Sequence, residues 1–241
     1  MELYTMKTTI MILTLVFHFT FLYSQKSESD LQEDLYLNEE QFAYKYLLKL
    51  NSVSELRKAF LRSEDNKEKI LILKRLTDFI NEEMAFITVL DSVERGDKVH
   101  NGDNRDWKLR ASAIYLLGEK GKKLSEEKRL LILKKVVKQF KKENDPFILS
   151  VSAYTLSKLA TDDPDQLSNH RLFNKRTISY LLCEKLLILK PYENELCLHL
   201  IEASIILNDP YTNLALMEIR KRKFHPVVLS RVKKAIQILK R

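Results

Sequence analysis

The sequence predicts an all-α protein, and three observations lead to this fold class. The 241 residues include only four glycines and five prolines, which is too few for a β architecture with many turns. Leu, Lys and Glu, which are strong helix formers, are abundant. Apolar residues recur every three or four positions, as in helices that bury one face. With 45% hydrophobic residues the chain can bury a core, so neither a disordered nor a wholly membrane-embedded protein is expected.

The first 24 residues follow the pattern of a secretory signal peptide. Lys7 provides a positive start, residues 8–23 carry no charge and are largely apolar, and Ser24 is a small residue at the expected cleavage point. The run is short for a membrane span and contains no Cys for a lipoprotein anchor. We expect a cleaved signal and an exported protein, in the periplasm or cell envelope. An uncleaved N-terminal anchor is the alternative.

Residues 25–41 are interpreted as an acidic linker or a frayed first helix, because six acids and no base lie between Glu28 and Glu40. Residues 42–241 are predicted to form one helical domain of about ten helices joined by short links. In chain order, the apolar stripes include Tyr46 and Leu50, Leu56 and Phe60, Leu73 and Leu76, Ile114 and Leu117, Leu133 and Phe140, Ala153 and Leu156, and Val228 and Val232.

Several polar and proline residues predict where these helices begin. Ser125 is expected to cap a helix whose first turn carries two glutamates. Pro146, Pro210 and Pro226 each stand where a first helical turn begins, the position at which proline is tolerated. The stretch 94–106, which contains Gly, Asp and Asn, is predicted to be a loop.

Two of the four glycines follow an Ala-rich segment that begins near Trp107. Gly118 lies near the C-terminal end of this predicted helix. Gly121 is expected to close the following turn as a helix C-cap with positive φ.

The stretch Asp106–Gly118, DWKLRASAIYLLG, resembles a HEAT repeat of the short bacterial, phycobilin-lyase-like kind. The matching residues are Asp106, Arg110, Ala111, Ala113, Leu117 and Gly118. Residues 145–159 match more loosely, and Asp106 and Asp145 are 39 residues apart, near the repeat length of this architecture. The resemblance implies a right-handed α-solenoid of stacked antiparallel helix pairs. It also implies that small residues allow close packing and that the Asp and Arg cap helices and bridge to the next unit.

The C-terminal third departs from this pattern. Residues 189–219 contain Pro191, Ala203, Pro210 and Ala215 in an arrangement that looks more like a tetratricopeptide repeat. Both families stack helix pairs into a solenoid, and solenoids present an extended concave surface. We therefore expect a non-catalytic scaffold that binds another envelope protein through a solenoid face. Trp107, Arg110 and Tyr115 are the candidate partner-binding residues, and inter-repeat packing is the alternative for Trp107 and Tyr115.

The net charge of +8 is concentrated at the C-terminus, where the last 22 residues contain nine Lys and Arg and no acid. The candidate basic residues are Arg220, Lys221, Arg222, Lys223, Arg231, Lys233 and Lys234. Three interpretations stay open: a polar capping helix at the end of the solenoid, docking on anionic lipid, and binding of an acidic protein. Docking on a membrane surface is the alternative to the scaffold function. Nucleic acid is not an expected partner, because Phe224 is the one aromatic residue of the tail.

No residue pattern indicates an enzyme, a cofactor or a metal. The chain lacks a Gly-rich phosphate loop and the His-Glu-x-x-His, Cys-x-x-Cys and Gly-x-Ser-x-Gly motifs. Residues 97–106 have the composition of a calcium loop but not its ligand spacing. Cys183 and Cys197 either form one disulfide or are two buried thiols.

Overall fold

A computed structural model of the chain describes residues 45–94, 107–160 and 173–240. The chain divides into two compact units, Met1–Leu50 and Asn51–Arg241. The described part of the first unit forms a 3₁₀ helix, Lys45–Lys49, in which Leu47 is buried. The predicted signal peptide, the acidic linker and Asp106 lie outside the described residues.

The described residues of the second unit form ten α-helices, which confirms the all-α prediction. Their bounds are α1 Val53–Arg62, α2 Asn66–Leu76, α3 Glu83–Asp91, α4 Trp107–Gly121, α5 Glu126–Lys142, α6 Pro146–Leu159, α7 Lys175–Ile188, α8 Asn194–Leu207, α9 Asn213–Lys221 and α10 Pro226–Leu239. Short 3₁₀ turns follow α2 and α3 and precede α9.

The helices are arranged as pairs that stack along the chain. Each odd-numbered helix packs against the even-numbered helix that follows it, and α2, α4, α6, α8 and α10 also pack in one continuous row. Among the odd-numbered helices, α1 packs against α3 and α7 packs against α9. Lys135 of α5 binds Asp91 of α3 at 2.8 Å. This is the packing of stacked helix pairs, and its predicted right-handed winding stays a prediction.

Local hydrogen bonds explain where the helices begin. The Ser125 hydroxyl accepts a hydrogen bond from the Lys128 backbone N–H, as predicted for an N-cap. Asp145 Oδ1 accepts from the backbone N–H groups of Phe147 and Ile148 at 2.9 and 3.0 Å. The three predicted proline starts are confirmed: Pro146 begins α6, Pro226 begins α10, and Pro210 begins the 3₁₀ turn before α9.

The two glycines of α4 have a different role from the one expected. Gly121 is the last residue of α4, and neither glycine has a positive φ, so the prediction of a left-handed C-cap is wrong. A Cβ atom at Gly118 would lie 2.6 Å from Thr155 Oγ1, and one at Gly121 would lie 2.9 Å from both Leu159 methyl groups. Both glycines therefore lie where α4 and α6 approach closely, and the contact at Gly118 extends to the Thr155 backbone, 3.3 Å from the added Cβ.

Helix α6 lies in the middle of the row of even-numbered helices and packs against α4, α5 and α8. Its residues are buried on nearly all sides, and small side chains such as Ser150, Ser152 and Ala153 face its neighbours. Helices α3 and α5, which belong to successive pairs, supply the large buried side chains Phe86 and Phe140. The core thus continues from one helix pair to the next, as expected for a repeat architecture.

Candidate partner-binding surfaces

Trp107 and Tyr115 pack between neighbouring repeats. The Trp107 ring meets the Phe147 ring edge to face, with centroids 5.1 Å apart, where α4 and α6 begin. Eight residues further along α4, Tyr115 stacks on Tyr154, with ring centroids 6.1 Å apart. Both contacts join residues 39 or 40 positions apart, close to the predicted repeat length. The packing alternative therefore accounts for both side chains, each of which stays partly exposed.

A polar cluster continues from the tyrosine stack along α4 and α6. The Tyr154 hydroxyl donates a hydrogen bond of 2.8 Å to Glu119 Oε1, and the Lys158 ammonium binds the same carboxylate. Burial, together with the Glu119 charge, raises the pKa of Tyr154 well above its usual value, so the phenol stays a proton donor. These three groups satisfy one another's hydrogen-bonding capacity and hold the two repeats in register.

Arg110 is buried, contrary to the expectation of an exposed binding residue. Its side chain is 5% exposed, and its Nη1 atom lies 3.6 Å from Glu143 Oε2. The other oxygen of Glu143 accepts hydrogen bonds from the backbone N–H groups of Asn144 and Asp145. Arg110 therefore links α4 to the turn between α5 and α6, which is the bridging role that the family resemblance implied. It is not available to a partner in this fold.

Three of the seven candidate basic residues of the tail are engaged within the fold. Arg222 donates from Nη1 to the Leu189 carbonyl at 3.0 Å and from Nη2 to the Leu187 carbonyl at 2.6 Å, so it caps the C-terminal end of α7. Arg231 of α10 binds both carboxylate oxygens of Glu202 on α8. Lys221 pairs with Glu218 one turn earlier.

The remaining cations point away from the helices. Arg220, Lys223, Lys233 and Lys234, together with Lys240, are exposed, and none forms an ion pair with another described residue. We call these five residues the basic end. On the opposite side of α10, apolar side chains are buried against its neighbours: Val228, Val232, Ala235, Ile236 and Leu239.

The two cysteines are free thiols in the structure, which is the second of the two sequence alternatives. Both are buried, Cys183 on α7 and Cys197 on α8. Burial raises the pKa of the Cys183 thiol to about 11 and that of the Cys197 thiol to about 12. Both groups are therefore protonated packing residues near neutral pH.

An apolar surface on α7 and α9 was not found from the sequence. These helices run side by side in the same direction. At their starts, Tyr180 contacts the Tyr211 ring at 4.3 Å and Arg176 binds Asp209 at 3.2 Å. At their ends, Arg222, which follows α9, binds the last carbonyls of α7. Tyr180 and Leu187 are seven positions apart on α7, so they project from the same side of that helix.

Several large apolar side chains of these two helices are exposed. Leu214 is 59% exposed, Ile188 70% and Tyr180 47%, and Leu187 and Met217 are each about two-fifths exposed. We call these five residues the α7–α9 face. Residues 180–188 are apolar on more sides than one buried face requires, and that excess was the available signal. Periodicity alone did not show which of the apolar residues would be exposed.

Within the described ranges, no group of three or more His, Cys, Asp and Glu side chains is arranged to hold a metal ion. No helix in this part of the chain is long and apolar enough to cross a membrane. The segment 97–106, which has the composition of a calcium loop, lies outside the described residues.

We compared the chain with protein-family models, curated proteins and solved structures. No protein-family model matches the chain, no curated protein is similar to it, and no solved structure matches it. The stacked helix pairs and their exposed side chains are therefore the features from which a function can be proposed.

Proposed function

We propose that this protein is a non-catalytic, exported scaffold that binds another protein of the cell envelope, with the α7–α9 face as the binding surface. The observation that supports it is the group of exposed apolar side chains on two adjacent parallel helices. Soluble proteins rarely leave such side chains together in water, and grouped ones usually mark a contact surface. Stacked helix pairs offer extended surfaces of this kind.

The α7–α9 face has the chemistry of a protein interface. Tyr180 provides an exposed aromatic side chain, and Leu187, Leu214 and Met217 provide exposed apolar side chains on the same two helices. Glu184 on α7 and Glu218 on α9 are exposed polar neighbours on the same helices. An apolar centre with polar surroundings is the usual composition of a specific interface.

The sequence and the contacts of three titratable groups support the proposed absence of catalysis. The chain lacks the motifs of nucleophilic, phosphate-binding and zinc-dependent enzymes. Burial raises the pKa values of Tyr154, Cys183 and Cys197, and all three side chains are partly or fully buried in helix packing. Their environments stabilise the neutral form of each group.

In-cell photocrosslinking tests the binding surface. A photoreactive residue is placed at Leu214 in one variant and at Leu61 in another, because both side chains are 59% exposed and Leu61 lies on α1. We expect one envelope protein to be captured from position 214 and not from 61. Leu187→Asp in the Leu214 variant should abolish the capture, because a buried carboxylate opposes contact. Equal capture from both positions, or no capture from position 214, would contradict the proposal.

Export is tested on the same cells. Sequencing of the N-terminus of the purified protein should start at Gln25, and the protein should fractionate with the envelope. An intact Met1 in a cytoplasmic fraction would show that residues 1–24 do not direct export. This outcome would leave the binding surface untouched and would remove the envelope from the proposal.

A further inference from the structure

The basic end is a second surface, and its chemistry differs from that of the α7–α9 face. It lies on the last helix pair, where α10 packs on α8 and α9 and no later described helix covers it. Its cations project into solvent along α10 and from the end of α9. Residues 220–241 contain no acid, and Glu218, the acid that precedes them most closely, pairs with Lys221.

The basic end lacks the apolar centre that a protein interface needs. Ile238 is the one large apolar side chain of α10 that is exposed, at 43%. Val232, Ala235 and Leu239 are buried against the preceding helices. Protein interfaces owe their specificity to an apolar core within a polar rim. A layer of anionic lipid headgroups, in contrast, needs only exposed cations to attract a protein.

We propose that the basic end attaches the protein to an anionic bilayer by contacting lipid headgroups. Because the apolar side of α10 is buried, the helix lies on the headgroup layer and does not insert into the acyl chains. Arg222 and Arg231 take no part, since each is bound within the fold. This proposal does not depend on the α7–α9 face, so either can fail alone.

Vesicle sedimentation of the full chain tests the proposal. The probe is vesicles of phosphatidylcholine mixed with phosphatidylglycerol, and pure phosphatidylcholine vesicles report any contact made through residues 8–23. The variant carries Arg220→Gln, Lys223→Gln, Lys233→Gln and Lys234→Gln. The control carries Lys122→Gln, Lys123→Gln, Lys134→Gln and Lys141→Gln, which removes the same charge from exposed lysines on and beside α5.

We expect the anionic vesicles to bind the unmodified chain more tightly than the neutral ones do. The preference of the basic-end variant for anionic over neutral vesicles should be at least about tenfold weaker than that of the unmodified chain. The reason is that each cation near such a surface strengthens binding severalfold. The control should lose far less. Salt at about 1 M, where charges are screened beyond about 3 Å, should abolish the preference.

Three results would overturn the proposal. The first is that the unmodified chain shows no preference for anionic vesicles. The second is an equal loss of this preference in the variant and the control, which would indicate that the net charge of the chain alone determines binding. The third is an absence of vesicle binding together with retention on a polyglutamate column that the basic-end variant loses. That result would assign the surface to an acidic protein. Circular dichroism should show unchanged helix content in both variants, because all eight replaced side chains are exposed.

Discussion

Arg110 of α4 and Glu143, which follows α5, form a buried ion pair between neighbouring helix pairs. Their side chains are 5% and 10% exposed, and Nη1 and Oε2 are 3.6 Å apart. Gln139 donates a hydrogen bond of 2.7 Å to the same carboxylate oxygen. The other oxygen accepts hydrogen bonds from two backbone N–H groups of the turn before α6. One carboxylate therefore connects three helices of the stack.

We expect Arg110→Met to destabilise the protein by about 3–5 kcal/mol, because it leaves the Glu143 charge buried without its cation. Urea unfolding monitored by circular dichroism measures the change. Arg75→Met is the matched control: Arg75 pairs with Asp78 on the surface, at 32% and 51% exposure. Its cost should be below about 1 kcal/mol. Similar costs for the two substitutions would contradict the structural role of Arg110.

Gly118→Ala is expected to destabilise the protein, although alanine is the better helix former. The new Cβ would lie 2.6 Å from Thr155 Oγ1 and 3.3 Å from Thr155 Cα, so α4 and α6 must separate. Overpacking of this kind costs about 1–3 kcal/mol, which outweighs a helix-propensity gain of up to about 1 kcal/mol.

Gly121→Ala provides the comparison in the same unfolding experiment. Its nearest contacts are the flexible methyl groups of Leu159, which can move aside. We expect a smaller loss than for Gly118→Ala, or a net gain. If Gly118→Ala proved stabilising, α4 and α6 would not approach as closely as described.

The two thiols should be unreactive in the native protein. Because burial raises the pKa values of Cys183 and Cys197 to about 11 and about 12, almost no thiolate is present at pH 8. A chromogenic disulfide reagent should detect neither thiol before unfolding and both after unfolding without reductant. Failure to detect thiols in the unfolded, unreduced protein would establish the disulfide alternative.

His199 is expected to make stability depend on pH. It is half-buried on α8, and burial lowers the pKa of its imidazole below the usual 6.5, against the opposing effects of Glu195 and Glu202. As the pH falls below that value, the unfolded chain takes up the proton before the folded one. The free energy of unfolding therefore decreases until the lower folded pKa is passed.

His199→Gln should remove this part of the decrease. The urea midpoints of the two proteins are compared between about pH 7 and pH 5. Because both proteins carry the same carboxylates, the effect of carboxylate titration on stability cancels in this comparison. Above the usual histidine pKa the two pH dependences should run parallel. Equal decreases on acidification would show that His199 does not contribute.

Much of the fold is predictable because it depends on residues close together in sequence. Ser125 and Asp145 accept hydrogen bonds from N–H groups two or three positions away, and prolines at first turns need no distant partner. The 39-residue spacing of Asp106 and Asp145 predicted the repeat length, and Tyr115 and Tyr154, which stack, have the same spacing. Helix starts and repeat length thus follow from local chemistry and periodicity.

The candidate surfaces were less predictable, because exposure depends on neighbours far along the chain. The sequence determined that the protein is all-α, made of repeating helix pairs, and basic at its end. Tertiary structure decided that Arg110 is buried, that Arg222 and Arg231 are engaged, and that Leu214 is exposed. Arg222 finds the Leu187 and Leu189 carbonyls more than 30 residues earlier, and Arg231 finds Glu202 29 residues earlier. Only the packing of whole helices brings such partners together. The tertiary structure therefore decides whether a side chain is exposed or bound within the fold.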